Sequence, residues 1–146
     1  MENFGTIFIE KNICFKTTNN VSKYSIDHSY KTGRPVLVFC EDDEYMYYLT
    51  IHSYHGTIQD SDYRLNYNCI NKESYINVND IYRKRICFVN EREKVDYKEM
   101  LNILKFFLIY QTTVRRDELF DTVLPLLNNQ IEEILKDNPD LHFNIQ

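Results

Sequence analysis

The chain has 146 residues, of which 43% are hydrophobic, and it carries a formal net charge of −5 at pH 7. This length fits one domain with its own core, and the composition argues against a disordered chain. The amino-terminal residues lack the basic start and apolar run of a signal peptide, and no apolar stretch reaches the roughly 18 residues of a membrane span. We therefore expect a single cytoplasmic domain over residues 1–146.

The first part of the chain, up to about residue 90, predicts strands. Its apolar segments are short and rich in β-branched and aromatic residues, as in strands of about four to eight residues. In chain order they are TIFIE, ICFKT, VLVFC, YMYYLTI, YRLNYNCI, SYINV and RICFV. The acidic tetrad at residues 41–44 predicts a hairpin turn, because solvated charges do not fit inside a ladder. We expect a small, strongly bent antiparallel sheet or barrel over about residues 1–90.

From Val95 the apolar period becomes helical. The residues that recur at this spacing are Met100, Leu101, Leu104 and Leu108. Asp96 can cap this helix, and a second helix is predicted from about Asp117 to Lys136, with Pro125 kinking or dividing it and Asn138-Pro139 ending it. The sequence thus predicts an α+β fold with a helical pair, at about residues 95–137, packed on the sheet.

The cysteines and histidines do not have the spacing of a metal site. The four cysteines, Cys14, Cys40, Cys69 and Cys87, are far apart, and each lies among apolar neighbours. We therefore expect buried free thiols, and we predict no metal and no cofactor.

Polar residues gather where the predicted strand Tyr45–Ile51 ends. If this strand alternates, Tyr48, Thr50 and His52 share one face, and the residues between them share the other. Two or three groups that can donate or accept protons would then converge at one strand end, and we take Thr50, His52 and Ser53 as candidate catalytic residues. The alternative is an ordinary threonine-containing strand edge with a solvated histidine.

Two groups of cationic residues are candidates for binding phosphate. Residues 11–36 carry a net charge of +4, although the chain as a whole is acidic; they include Lys16, Lys23, Lys31 and Arg34. Arg34 precedes Pro35, which favours an extended entry into the strand, and its guanidinium can either hold a turn or bind a phosphate bidentately. The second group is Arg83-Lys84-Arg85, a short basic run beside a strand.

Tyrosine is unusually frequent, with 12 residues in a chain that has no tryptophan. A tyrosine such as Tyr48 can stack on a nucleobase and so take part in RNA binding. On a small half-exposed sheet, however, tyrosines more often pack with their hydroxyl groups in water.

The order of these segments resembles that of bacterial toxin ribonucleases. A basic residue at the start of GRPVLVF, a hairpin, and then a strand ending in a threonine with polar neighbours resemble the MazF/PemK-like barrel class. The later passage SYINVNDIYRKRICFV, followed by DYKEMLNILKFFLIYQ, is similar to the type III toxins of the ToxN/AbiQ-like family, nearest to its CptN-type members. The resemblance runs from about residue 4 to residue 136, rests on short motifs, and implies an SH3-like barrel with helices packed on it.

The resemblance implies a bacterial RNA endonuclease, the toxin of a type III toxin–antitoxin system in phage defence. Toxins of this family cleave single-stranded RNA without a metal. The 2′-hydroxyl attacks the adjacent phosphate, which leaves 2′,3′-cyclic phosphate and 5′-hydroxyl ends. The resemblance also implies an antitoxin that is a small structured RNA, processed by the toxin and bound in a closed protein–RNA assembly.

The functional positions of the family carry over unevenly. Thr50 matches the threonine at the strand end, and Arg34 matches the basic residue before the first long strand. The serine and lysine of the family correspond here to Ile51 and Ser53, so His52 becomes the candidate for proton transfer and Arg34 the candidate for phosphate charge. Two alternatives remain: a non-catalytic RNA- or protein-binding barrel, and a type II-like toxin with a protein antitoxin.

Overall fold

A computed structural model describes residues 3–11, 33–53, 57–65 and 73–144, which form one antiparallel sheet and two helices. The strands are β1 (Thr6–Glu10), β2 (Arg34–Glu41), β3 (Tyr45–Ser53), β4 (Asp62–Arg64), β5 (Ser74–Arg85) and β6 (Glu93–Lys94), and the helices are α1 (Tyr97–Thr113) and α2 (Phe120–Asp137). The strand order is β4-β5-β3-β2-β1-β6. The predicted α+β class, with a helical pair after the sheet, is confirmed.

The hairpin between β2 and β3 forms at the acidic tetrad, as predicted. One carboxylate oxygen of Asp42 accepts hydrogen bonds from the backbone amides of Glu44 (2.8 Å) and Tyr45 (2.7 Å). The other accepts from the hydroxyl of Tyr47 at 3.0 Å. Asp42 therefore fixes the turn by the side-chain-to-backbone bonding that favours aspartate in turns.

The prediction of a last strand at RICFV is wrong. SYINV instead begins β5, which runs through to Arg85, and residues 86–90 lie outside the ladder. The reason is that β3 begins at Tyr45, the partner of Arg85. One more backbone hydrogen bond follows, from the amide of Ile86 to the oxygen of Glu44 at 2.9 Å, before the two segments separate at the turn. Cys87 is consequently exposed rather than buried as predicted, whereas Cys40 is buried, and this burial raises the pKa of its thiol well above the usual value.

Some predictions concern parts of the chain outside the described residues. These are the strand ICFKT, most of YRLNYNCI after β4, the cysteines Cys14 and Cys69, and the lysines Lys16, Lys23 and Lys31.

Both helices have the ends that their sequences indicate, with small shifts. Asp96 caps α1 by accepting a hydrogen bond from the backbone amide of Glu99 at 2.9 Å. The second helix, α2, begins three residues later than predicted and continues through Pro125 as one helix. The proline therefore does not divide it, and the alternative of a kink stays a prediction. It ends at Asp137 with Asn138 as its C-cap, in agreement with the predicted end at Asn138-Pro139. Neither helix is long and apolar enough to cross a membrane.

The sheet has two faces, which we call the helix face and the distal face. Side chains of the helix face join α1 and α2 in the main core; they include Ile7, Leu37, Phe39, Leu49, Ile51 and Ile76. The distal face, on the opposite side, carries a smaller apolar cluster made of Phe8, Val36, Val38, Met46, Tyr48 and Tyr82. The alternation predicted for β3 is thereby confirmed, with Tyr48 on one face and its neighbours on the other.

The sheet curls strongly toward its distal face. Lys84 of β5 and Glu10 of β1 form an ion pair of 2.6 Å, although β3 and β2 lie between these two strands in the ladder. In a flat sheet three strand spacings would separate them by about 14 Å, which two side chains do not bridge so closely. The ladder nevertheless stays open, with β4 and β6 as edges among the described residues, so the predicted closed barrel is not confirmed.

Candidate functional site

Arg34 is held at the start of β2 by the glycine before it. Gly33 has a φ of 72°, and a Cβ atom at this position would lie 2.3 Å from the Cγ2 atom of Ile9. Only glycine allows both this backbone conformation and this close approach of β2 to β1. Arg34 is thereby placed directly opposite Glu10 in the ladder. Partial burial lowers the pKa of its guanidinium, but an arginine keeps its charge at neutral pH.

Thr50 and His52 extend along the distal face toward Arg34. The β2–β3 register pairs Val36 with Thr50. Continuing this register by two residues on each strand brings Arg34 alongside His52, with both side chains on the distal face. Thr50 is only 8% exposed, so access to its hydroxyl is narrow. The register therefore places Arg34, Thr50 and His52 at the same end of the β2–β3 pair, and their joint role as a site stays a prediction.

His52 is fixed by a carboxylate that the sequence did not point out. Its Nε2 atom lies 2.9 Å from Oδ1 of Asp62, and its Nδ1 atom lies 3.0 Å from the backbone oxygen of Ser53. Both partners are acceptors, so a neutral ring can satisfy one of them, whereas an imidazolium donates to both. The Asp62 side chain is 3% exposed and that of His52 is 21% exposed. The pair thus has a buried carboxylate side and an accessible imidazole side.

The Asp62 carboxylate and the His52 ring each have a further contact that fixes their orientation. Oδ2 of Asp62 accepts a hydrogen bond from the backbone amide of Gln59 at 2.9 Å. The ring of Tyr75, the partner of His52 in the ladder, stacks on the imidazole with centroids 6.0 Å apart and an interplanar angle of 26°. The orientation of the imidazole is therefore determined by β4 and β5 as well as by its own strand.

A bulge in β5 brings two more polar residues to this face. Tyr48 pairs with Tyr82 and Thr50 with Asn77, so Leu49 alone faces the four residues 78–81. Oδ1 of Asn77 accepts a hydrogen bond from the backbone amide of Asn79 at 2.7 Å, which stabilises the bulge. The bulge leaves Asn77 beside Thr50 and sets Tyr82 beside Tyr48.

The bulge is anchored to the helices through buried polar groups. Nε2 of Gln111 donates to the backbone oxygen of Val78 at 2.8 Å, and the hydroxyl of Tyr110 donates to Oδ1 of Asn79 at 2.8 Å. The buried carboxylate of Asp117, just before α2, accepts from the backbone amide of Ile81 at 3.2 Å. The helical pair therefore helps to position the strand that carries Asn77 and Tyr82.

Tyr82 closes the inner side of the candidate site. Its ring stacks on that of Tyr48, with centroids 5.7 Å apart and an interplanar angle of 17°. Burial raises the pKa of its hydroxyl, and the charges of Asp80 and Asp117 raise it further, while the charge of Arg34 opposes the shift. At neutral pH the hydroxyl is consequently protonated and can donate a hydrogen bond.

The remaining predicted RNA-binding residues are not part of this arrangement. Lys84 is paired with Glu10, Arg85 lies 3.5 Å from a carboxylate oxygen of Glu44, and Arg83 lies over the ring of Tyr45 at 4.4 Å. Tyr48 is 3% exposed because Tyr82 covers it, so a base cannot stack on it unless Tyr82 moves. The basic run and Tyr48 therefore have intramolecular contacts, and their role with RNA stays a prediction.

Three residues of the site were missed by sequence reasoning: Asp62, Asn77 and Tyr82. A faint signal existed for one of them, since Asp62 lies in a polar turn that precedes a strand. Among residues 3–11, 33–53, 57–65 and 73–144, no group of three or more histidine, cysteine, aspartate or glutamate side chains is arranged to hold a metal ion. No protein-family model matches the chain, and no curated protein is significantly similar to it.

Proposed function

We propose that the protein is a metal-independent endoribonuclease that cleaves single-stranded RNA to 2′,3′-cyclic phosphate and 5′-hydroxyl ends. The observation that supports this most directly is the position of Arg34, Thr50 and the His52–Asp62 pair along one edge of the distal face. Transesterification of RNA requires positive charge near the phosphate, a hydrogen-bond donor and a group that transfers protons. These three groups supply one of each.

Each residue has a defined part in the proposed reaction. The 2′-oxygen bonds to phosphorus, the bond from phosphorus to the 5′-oxygen breaks, and the proton of the 2′-hydroxyl passes to water. The guanidinium of Arg34 binds the non-bridging oxygens of the phosphate as their negative charge increases. The hydroxyl of Thr50 donates a hydrogen bond to the same phosphate. The His52 imidazolium delivers a proton to the leaving 5′-oxygen and regains one from water.

The contacts of His52 indicate which of its nitrogens would act. Nε2 is bound to the buried carboxylate of Asp62, whereas Nδ1 contacts the backbone oxygen of Ser53, a neutral partner. Nδ1 is therefore the proton donor in this proposal, with the leaving oxygen replacing the Ser53 carbonyl as its partner. Asp62 would act through His52, as a positioning residue that orients the ring.

The direct test is to incubate purified protein with single-stranded RNA and to identify the product ends. We expect cyclic phosphate ends that form equally with and without a chelator, and no cutting of an oligonucleotide that lacks the 2′-hydroxyl. Thr50→Ala and His52→Ala should each abolish cleavage and growth arrest while circular dichroism matches the wild type. The matched controls are Thr122→Ala and His142→Ala, which alter exposed residues far from this face in sequence.

Undiminished cleavage or toxicity in both site variants would show that these residues are not the active site. RNA binding by the wild type without any cleavage would instead favour the second candidate, a non-catalytic binding protein. That candidate is supported by the burial of Thr50, which limits how closely a phosphate can approach its hydroxyl.

We further propose that the chain acts in the bacterial cytoplasm as the toxin of a type III system, inhibited by a small structured RNA in a closed assembly. The support is the sequence resemblance together with the strongly curled sheet, which is compatible with the barrel class. A tandem nucleotide repeat upstream of the coding sequence would favour an RNA antitoxin. A small open reading frame at that place would favour a protein antitoxin and the type II-like alternative.

A further inference from the structure

A cleft of about 400 Å³ lies between β1 and the segment that links β5 to β6. The residues that line it are Phe8, Ile9, Glu10, Lys11, Lys84, Phe88, Val89, Asn90 and Arg92. The linking segment is held across the sheet by the backbone amide of Arg92, which donates to the oxygen of Ile7 at 2.8 Å, and by Val89, which packs on the distal cluster. The cleft is thus a consequence of the chain leaving β5 and returning to pair with β1.

The floor of this cleft is polar and charged. The Glu10–Lys84 ion pair lies there, with side chains that are 6% and 29% exposed, and the Lys84 ammonium is 5.6 Å from the centroid of the Phe8 ring. A carboxylate can accept about four hydrogen bonds, so the contact with Lys84 does not by itself prevent Glu10 from accepting one from a ligand. The floor therefore favours a ligand whose buried part offers N–H donors.

The rim of the cleft combines an exposed aromatic ring with cations. Phe88 is 88% exposed, and Ile86 on the same segment is 42% exposed. Lys11 and Arg92 are also exposed, and neither forms an ion pair with another residue in the described parts of the chain. An aromatic platform beside cations is the pattern by which proteins hold unstacked bases and their phosphates.

We infer that this cleft is a subsite for one nucleotide of single-stranded RNA, with the base against Phe88 and over Glu10, and the flanking phosphates at Lys11 and Arg92. The inference rests on the proposed function, because it extends the RNA path away from the candidate catalytic edge. Glu10 of the cleft floor lies directly opposite Arg34 in the β1–β2 ladder, about one strand spacing away. A single-stranded RNA bound at Arg34 on β2 can therefore continue into the cleft at β1, because no other strand lies between these two strands.

The charge of the floor argues for a nucleotide rather than an acidic peptide. The cations of the rim would attract either ligand, but a peptide carboxylate entering the cleft would meet the buried carboxylate of Glu10. A nucleobase carries no negative charge, and a base with an amino group can donate a hydrogen bond to the carboxylate of Glu10. The cleft volume also falls within the range typical of small-ligand sites, about 300–1,000 Å³.

The test uses a single-stranded RNA oligonucleotide with 2′-O-methyl groups, which binds but cannot be cut, and follows its anisotropy with the full-length protein. Phe88→Ala should weaken binding by about 5- to 100-fold, as expected for the removal of one stacking platform, and Phe88→Tyr should retain it. Tyr97→Ala, at an aromatic residue that is 46% exposed on α1, is the matched control and should change nothing.

The cations are tested by the salt dependence of the same binding. The double variant Lys11→Ala and Arg92→Ala should make the log–log slope shallower by about 1.4, that is about 0.7 for each phosphate that is no longer neutralised. The double variant Lys98→Ala and Arg116→Ala, at exposed positions outside the cleft, should leave the slope unchanged.

The outcomes separate this subsite from the proposed function. If the wild type cuts RNA and Phe88→Ala binds and cuts within a factor of about two of it, the subsite is wrong and the ribonuclease stands. If the wild type binds the oligonucleotide through Phe88 but cuts no RNA, the subsite stands and the ribonuclease is wrong. Displacement of the oligonucleotide by poly-glutamate at equal concentration would identify a general anion site, or an acidic protein partner, and would overturn the inference.

Discussion

On its helix face the sheet meets α1 and α2 through apolar side chains that are almost completely buried, whereas on its distal face a small apolar cluster is bordered by ionisable groups. The ion pairs Glu10–Lys84 and His52–Asp62 lie on the distal side, and each has one deeply buried carboxylate. Buried ion pairs are weak contributors to stability, because desolvation offsets most of their attraction. The distal face therefore retains chemistry that packing alone does not require.

The largest expected effect on stability comes from the helix face. Phe107 is fully buried, and its ring lies 5.0 Å from that of Phe39 and 5.9 Å from that of Phe120, measured between centroids. Phe107→Ala should lower the free energy of unfolding by about 3–5 kcal/mol, because apolar burial decreases and a cavity remains. Urea denaturation measures this, and RNA cleavage per folded molecule should be unchanged. A loss of cleavage without a loss of stability would contradict the view that the helix face stabilises the fold and the distal face carries the activity.

The next largest effect is expected on the distal face, where a substitution should lower activity and leave stability nearly unchanged. Arg34→Ala should lower the rate of RNA cleavage by an amount equivalent to the loss of about 2–4 kcal/mol of transition-state stabilisation. It should also weaken the binding of an RNA antitoxin. Thermal unfolding should change little, since Arg34 is only partly buried. Arg116→Ala on the helix side is the control, because its ion pair with Asp121 is exposed. Arg34 has only a structural role if cleavage and binding both persist within a factor of about two.

The basic amino-terminal segment gives a smaller, salt-dependent effect. Lys23 and Lys31 lie outside the described residues, so this prediction rests on charge alone. Replacing both with alanine should make the salt slope of RNA binding shallower by roughly one unit or more, because each phosphate contact releases counterions. Replacing Glu132 and Glu133, on the exposed side of α2, should barely change the slope. An unchanged slope in the lysine variant would show that Lys23 and Lys31 contact no phosphate, and would leave Lys11, Arg92 and the Arg83–Arg85 run as candidates.

The smallest expected effect concerns the hairpin that joins β2 and β3. Partial desolvation acts to raise the pKa of Asp42, but hydrogen bonds from the Tyr45 and Glu44 amides and the Tyr47 hydroxyl outweigh it, so the pKa is lowered. A carboxylate with a lowered pKa stabilises the folded state above the ordinary value of 3.8 and loses that contribution as the pH falls through the folded pKa. Asp42→Ala should therefore cost about 1 kcal/mol at pH 7.

The difference between wild type and Asp42→Ala should then shrink in acid below about pH 4, as measured by urea denaturation at several pH values. Asp43→Ala is the control at the neighbouring exposed position. A difference that is constant with pH would mean that the turn is stabilised by backbone geometry and not by the carboxylate.

Local sequence was enough where neighbouring residues decide the structure. Asp42 shapes the hairpin through amides two and three residues away, and Asp96 caps α1 through an amide three residues away. The alternation of β3 also follows from its own residues, so the common face of Thr50 and His52 was predictable. The end of β5 was not predictable, because RICFV has the composition of a strand and lacks only a partner strand once β3 ends at the hairpin turn.

The sequence by itself determined the α+β class, the order of sheet and helices, and the candidates Arg34, Thr50 and His52, because periodicity and residue type are local properties. Only the tertiary structure decided which groups meet them. Asp62 reaches His52 across a loop, and the bulge that places Tyr82 is anchored by Gln111, more than 30 residues further along the chain. The Glu10–Lys84 pair exists only because the sheet curls. Such contacts depend on how distant segments pack, and no local pattern encodes them.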